Sequence, residues 1–281
     1  NAERDWAFAA PREGDRLTAP SDKQMQSDGS WRAMVAAYRR FMDDITSRRW
    51  NDATRRLRAV DPNHLISFRQ GNTLFYDFAL TGPVKHIDFI SPEGYAIPHT
   101  EEGRDAAGFV TRYVKFTTGG KPVYWSEFGR SIWDNKRMAV DPAMIPVQAD
   151  YHEIFHRMAV ETGASGLAPW WWPGGYRVNE RSDYGIINPD GTPRPSAELF
   201  LKYGPLLRAG EAHGTPVQWM TMDRDAHPGG YWHVTFNAGR DACRTARETG
   251  RLLCIRTEAT GSNSADVPLI AVGNTPCNGS N

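Results

Sequence analysis

The sequence predicts an α/β chain with βαβ units over residues 1–208, followed by a small antiparallel β-rich module over 209–281. Three observations predict it. Short apolar runs of strand length at 64–68, 87–90, 122–125 and 165–172 alternate with longer segments of helical period. Gly and Pro sit at the joints between them. Beyond about residue 209 the helical period gives way to strand-like runs at 217–222, 231–236, 252–257 and 267–272, separated by Gly, Pro and Asp. Alternating strands and helices imply parallel pairing, and the carboxyl ends of parallel strands are where such sheets carry chemistry.

Taken in order, residues 7–30 have no period and read as a loop. Trp31, Met34, Val35, Tyr38, Phe41, Met42 and Ile45 follow the i, i+3, i+4, i+7 rule of an amphipathic helix, with Ser30 or Asp28 available as its cap. That helix runs on through Val60. Its Arg48, Arg49, Arg55, Arg56 and Arg58 interleave with Asp43, Asp44 and Asp52, which reads as a solvated face rather than a phosphate site. Asp61-Pro62-Asn63 ends it. Further helices are expected at 101–117, at 143–162 up to Gly163, and at 197–207.

Composition narrows the function. Lys+Arg and Asp+Glu number 33 each, so the zero net charge excludes a general nucleic-acid binder and a polybasic membrane clamp. No apolar run approaches the length that spans a bilayer. The 40% hydrophobic and 23% charged content is a globular mix. Cys243, Cys254 and Cys277 lack the CxxC spacing of zinc or redox motifs; a Cys243–Cys254 disulfide and three free thiols both remain open.

Glu127, in Lys-Pro-Val-Tyr-Trp-Ser-Glu-Phe-Gly (121–129), is the strongest chemical candidate, because a carboxylate at the end of a buried parallel strand faces the active-site rim of a barrel. A solvated or Arg-paired acid is the plainer reading. The next unit strengthens the first: Trp170, Trp171 and Trp172 are consecutive, and strand side chains alternate faces, so at least one indole must leave the core. Exposed indole faces suit sugar rings, nucleobases or cations.

Glu127-Phe128-Gly129, the helix after it, the Trp-rich strand end and Asp183-Tyr-Gly-Ile-Ile-Asn-Pro-Asp-Gly-Thr-Pro-Arg-Pro195 together resemble the last two units of a retaining glycoside hydrolase. The family meant is the clan of (β/α)8 TIM barrels with catalytic glutamates at the ends of strands four and seven. The resemblance covers roughly residues 1–208 and is most specific at 121–195. It implies a β-glycosidase acting with retention, with Glu127 as nucleophile and Trp171 or Trp172 flooring the adjoining subsite. It also implies an oligosaccharide or glycoside partner, no metal or organic cofactor, and a secreted or periplasmic setting. Strands five, six and seven then fall at 64–68, 87–90 and 122–127. Tyr95 stands where such enzymes place a residue hydrogen-bonding the nucleophile, and Trp125, Arg69 and Asn1 are expected to contact sugar.

Strand four must then end near residue 1, where the clan carries Asn-Glu with the Glu as acid/base. The chain reads Asn1-Ala2-Glu3. Either Glu3 serves in an offset motif, helped by a bulge, or Ala2 replaces the acid/base, since a one-residue shift turns Glu3 away from the cleft. With Ala2 in that role the barrel would be acid/base-deficient or only bind carbohydrate. On this count the chain holds strands four to eight, and an upstream segment is expected to supply strands one to three.

A rival motif is His152-Glu153-Ile154-Phe155-His156, which matches the H-E-x-x-H zinc signature of metallopeptidases. Helical geometry argues against it. With Tyr151, Ile154, Phe155 and Met158 as the buried stripe, His152, Glu153 and His156 are expected on the outer, solvent side, where no third ligand converges.

Overall fold

The computed structural model describes residues 2–70, 87–95, 97–118, 120–210, 215–221 and 230–256. The chain opens with α1 (Ala2–Trp6), a two-residue hairpin of β1 (Arg12–Glu13) and β2 (Arg16–Leu17), α2 (Asp22–Gln26) and the long α3 (Arg32–Val60). Then come β3 (Ser67–Gln70), β4 (Phe89–Pro92), α4 (Glu101–Thr117) and β5 (Tyr124–Phe128). A second hairpin, β6 (Trp133–Asp134) and β7 (Ala139–Val140), leads into α5 (Met144–Thr162), β8 (Gly166–Pro169) and α6 (Pro195–Ala209). The C-terminal part holds β9 (Val217–Thr221), α7 (Gly230–Phe236), α8 (Ala238–Glu248) and β10 (Leu252–Arg256).

Four strands form one parallel sheet in the order β3-β4-β5-β8. β3 pairs with β4, β5 with β8, and the bridges Ile90↔Val123 and Glu93↔Glu127 join the two pairs. α4 and α5 cross back between them, as parallel strands require. Among the described residues this sheet stays open and does not close into a barrel. The core lies between sheet and helices, where Ile90, Val123, Trp125 and Phe128 meet Phe109, Val110, Tyr151 and Phe155. α5 stops at Gly163, whose φ of 66° is the left-handed conformation that suits glycine.

Two expectations are corrected at the chain's ends. Residues 2–6, placed at the end of strand four by sequence, are helical and pack on α3. Among the described residues of the C-terminal part β9 and β10 pair in parallel rather than antiparallel, and 231–236, expected as a strand, lies in helix α7. The expected strand at 267–272 lies outside the described residues. The physical reason is packing. α8 carries its buried face on small residues, Gly239, Cys243 and Ala246, which lie flush on α4, while Leu253 and Ile255 of β10 join the same hydrophobic cluster as the sheet. The other side of α4, which faces solvent in an unadorned barrel, is thereby covered. Arg112 of α4 donates to the carbonyls of Leu253 (2.6 Å) and Thr162 (3.2 Å) across that junction.

Cys243 is a free, buried thiol and Cys254 is disulfide-bonded, so these two cysteines are not paired with each other. The expected cap of α3 also differs: Asp28 accepts from Arg32 Nε (2.7 Å), and Trp31 caps the helix with no side-chain bond. The basic side of α3 does pair outward, with Arg55 and Arg56 both on Asp52 (2.6 and 2.7 Å). Among the described residues no helix is long and apolar enough to cross a membrane.

Candidate active site

Glu127 reaches its position through an irregularity in β5. In the ladder Trp125 pairs with Leu167 but Phe128 pairs with Pro169, so β5 carries one extra residue between them. Regular alternation would put Trp125 and Glu127 on one face. The bulge breaks that parity. Trp125 and Phe128 both bury completely, and partly exposed Ser126 and Glu127 lie between them. Trp125 donates its indole N–H to Thr111 Oγ1 of α4 (3.0 Å) and meets Phe155 edge-on, with ring centroids 5.4 Å apart. The expected sugar contact by Trp125 is therefore corrected. Its ring is part of the packing between sheet and helices and has no free surface.

Around the Glu127 carboxylate the neighbouring strand ends converge. Tyr95, just beyond β4, donates its hydroxyl to Glu127 Oε2 at 3.1 Å. Burial, and after it the charge of Glu127, pushes the Tyr95 phenol well above its ordinary range, so it stays protonated as a donor. Tyr184 meets Tyr95 edge-on at 6.3 Å. Beneath them the backbone is locked: Gly94 N–H donates to the Glu127 carbonyl (2.8 Å), and Trp170 N–H to that of Phe128 (2.9 Å). Gly129 has to be glycine, because a Cβ there would meet the Trp170 carbonyl oxygen at 2.8 Å and Tyr184 Cδ1 at 3.1 Å.

The Trp run follows directly. The Trp170–Trp171 peptide is cis, and the two indoles stack at 4.9 Å. The Arg177 guanidinium lies 5.2 Å from the Trp170 ring and 4.2 Å from that of Trp171, so the three form a near-equilateral cluster rather than a linear stack. Glu180 ties it together, accepting from Trp170 Nε1 (3.2 Å) and pairing with Arg177 (2.7 Å). Trp172 is 60% exposed.

The loop that carries Tyr184 is pinned from below. Arg194, 1% exposed, grips the fully buried Asp183 with two bonds, Nη1 to Oδ1 (3.0 Å) and Nη2 to Oδ2 (2.8 Å). It also donates to Asn188 Oδ1 (2.8 Å) and the Gly185 carbonyl (2.6 Å). The Asp, Asn and Arg of the 183–195 segment are thus one hydrogen-bonded unit that holds Tyr184 against the strand ends.

Other expected residues lie apart from this cluster or outside what is described. Glu3 sits on α1, where its carboxylate accepts from Ala10 N–H (2.9 Å) and pairs with Arg12 (3.5 Å). Asn1 lies outside the described residues. Arg69 pairs with Ser91 through the backbone of β3, and its side chain is outside the described set. The sequence reading missed Glu93, 3% exposed and in register with Glu127, as well as Tyr184, His99 and Arg130. A signal for Glu93 was present: like Glu127, it is an acid two or three residues past the end of an apolar strand run.

The H-E-x-x-H residues correct another expectation. His152 and His156 are fully buried, not solvent-facing. α5 packs on the sheet with one face and on α6 with another, so His152 lies against Phe128 (4.7 Å) and His156 against Phe200 (4.5 Å). Burial, reinforced by His156, lowers His152 to about 3. Glu153 binds Lys202 and Tyr203 instead (2.7 and 2.6 Å). Among the described residues no group of three His, Cys, Asp or Glu could hold a metal ion.

A carboxylate, two tyrosines and a Trp cluster thus gather at the carboxyl edge of an open parallel sheet backed by helices, and comparison of whole folds finds glycoside hydrolases among the proteins of similar fold. A β-galactosidase from Rahnella sp. R3 matches with TM-score 0.58 at 18% identity, over 87% of this chain and 37% of its own. An exo-β-1,4-mannosidase from an Opitutaceae bacterium matches with TM-score 0.56 at 18% identity, over 92% of this chain and 56% of its own. A third match is a Streptomyces cattleya enzyme described as GH5_18 and solved with GlcNAc, with TM-score 0.50 at 13% identity, over 77% and 57%. The chain thus spans about half the length of the glycoside hydrolases it matches, and at these identities the likeness is one of fold. No family profile and no curated protein matches the sequence.

Proposed function

We propose that the chain is the nucleophile-bearing part of a glycoside hydrolase that cleaves a β-linked saccharide with retention. The observation that carries the reading is the placement of Glu127. Its carboxylate stands at the carboxyl end of an inner parallel strand and is hydrogen-bonded by Tyr95, and the next residue, Phe128, is tied through its carbonyl to the backbone of Trp170. Retaining hydrolysis needs two carboxyl groups about 5–5.5 Å apart. Glu127 attacks the anomeric carbon while the second carboxyl gives its proton to the leaving oxygen. Water, deprotonated by that second group, then releases the sugar from Glu127. Glu3 is the proposed second group, and its loop must bring it from α1 to the cleft for that role. Trp171 and Trp172 are proposed to floor the subsite, and Asn1 and Arg69 to reach the sugar.

The remaining barrel strands are proposed to come from an upstream segment. The open sheet supports this, as do Phe41, Leu57 and Val60 of α3, which are 55%, 49% and 88% exposed among the described residues. The test is Glu127→Ala in the full-length protein, assayed on aryl glycosides. The expected result is at least a thousandfold loss, restored in part by azide. Turnover close to that of the unaltered protein, without azide, would overturn the assignment. Binding of sugar with no turnover in either protein would make the chain a carbohydrate-binding barrel.

A further inference from the structure

The strand that carries Glu127 continues Phe128-Gly129-Arg130, and among the described residues Arg130 is a cation without an ion-pair partner. It is half-buried, and among the described residues its guanidinium makes no ion pair and no hydrogen bond. Only its backbone carbonyl is engaged, accepting from Gln148 Nε2 at 2.9 Å. Its charge acts on three aromatic neighbours. It adds to burial in holding the His99 imidazole down to about 4, and it opposes the upward push of burial on Tyr151 and Tyr184.

Arg130 opens onto a cleft of about 530 Å³ that it lines together with Ser131, Trp133, Lys136 and Tyr184, a size typical of small-ligand sites, about 300–1,000 Å³. The two acids on its wall share one guanidinium. Asp134 accepts from Arg137 Nε (2.6 Å), and Asp141 lies 3.5 Å from Arg137 Nη2. Counting Arg130, Lys136 and Arg137 against Asp134 and Asp141, the cleft keeps a net charge of one positive unit, and Arg130 is the half-buried cation that faces it without an ion pair among the described residues. One wall is aromatic, with Trp133 packed on Tyr176 at 4.7 Å. Tyr184 lines this cleft and also meets Tyr95, which bonds Glu127, so one side chain is shared between the cleft and the carboxylate cluster.

A guanidinium held partly out of water without a partner is costly, and its planar fork fits a carboxylate through two parallel hydrogen bonds. We infer that Arg130 sets substrate specificity by binding the carboxylate of an acidic sugar, a uronic acid residue, in the unit next to the scissile bond. The inference rests on Glu127 marking the reaction centre. It adds a substrate class that neither the fold nor the matched glycoside hydrolases convey.

The test uses the full-length protein and the variants Arg130→Gln, which removes the charge, and Arg130→Lys, which keeps it but removes the fork. Each is assayed on aryl β-glucuronide, on neutral aryl β-glucoside, β-galactoside and β-mannoside, and on a 6-sulfated aryl glycoside. The expected result is that Arg130→Gln lowers kcat/KM on the glucuronide at least fiftyfold and Arg130→Lys about tenfold, with less than a threefold change on the neutral glycosides. An equal loss on charged and neutral substrates would make Arg130 merely structural and overturn the proposal. So would preference for the sulfated glycoside over the glucuronide, or for neutral sugars over both. Binding of free D-glucuronate against D-glucose, measured by calorimetry, reads the site without turnover. At least tenfold tighter uronate binding, abolished in Arg130→Gln, supports the inference even if Glu127 proves not to be the nucleophile, and equal binding of the two sugars overturns it.

Discussion

Tyr95 and Glu127 sit at the ends of adjacent parallel strands, and the tyrosine hydroxyl donates to the carboxylate at 3.1 Å. The bond joins a phenol kept protonated by burial to an acid that a bulge has turned away from the core. Hydrogen bonds to charged groups contribute about 1.5–3 kcal/mol, which corresponds to a factor of roughly 10 to 150 in rate. Tyr95→Phe keeps the ring and removes the donor. A fall of that size in kcat, with KM and melting temperature nearly unchanged, is the expected outcome of steady-state kinetics. An unchanged kcat would show that the bond does not act on the reaction.

Asp183 and Arg194 form a buried pair whose two bonds hold the Tyr184 loop. Removing one partner leaves the other charge buried and uncompensated, a loss of about 3–5 kcal/mol. Asp183→Ala is expected to lose that much in urea unfolding. A change below about 1 kcal/mol would mean that water reaches Arg194 once its partner is gone.

His152 makes stability sensitive to acid. Its imidazole titrates near 6.5 when unfolded and is held to about 3 by burial in the folded protein. Above pH 6.5 both states are neutral and the group has no effect. Between about 6.5 and 3 the unfolded chain takes up a proton that the folded one refuses, so stability falls with pH across that window. His99, held to about 4, adds to the same trend. In His152→Leu the drop in melting temperature from pH 7 to pH 4 should be smaller than in the unaltered protein. An equal drop would show that His152 is protonated or solvated in the fold.

Much of this frame is legible in the sequence. The four apolar runs each overlap a strand of the parallel sheet, with bounds displaced by one to three residues, in part because the strand ends carry polar side chains, Ser91 and Glu127 among them, that an apolar count leaves out. Helix 101–117 and the stop at Gly163 lie where periodicity and glycine put them. What stayed hidden has physical causes. The bulge in β5 leaves no mark in composition, so nothing in the sequence showed that Trp125 packs into the core while Glu127 does not. The buried face of α8 is made of Gly239, Cys243 and Ala246, too small and too polar in company to register as a stripe. Tyr-Trp-His-Val-Thr-Phe at 231–236 has strand composition but lies in a helix, where tertiary packing overrides local preference. In the candidate site, Glu127 and the Trp run could be picked out from sequence, whereas Arg130 stood out only once it was seen to make no ion pair among the described residues.

The most direct test of the central claim is mass spectrometry of the full-length protein after reaction with an activated 2-deoxy-2-fluoro-glycoside, which slows release of a glycosyl-enzyme. The account predicts a single glycosyl adduct, mapped by peptide sequencing to Glu127. Turnover of the corresponding unfluorinated glycoside with no adduct, or an adduct on another carboxylate such as Glu93 or Glu180, would contradict it.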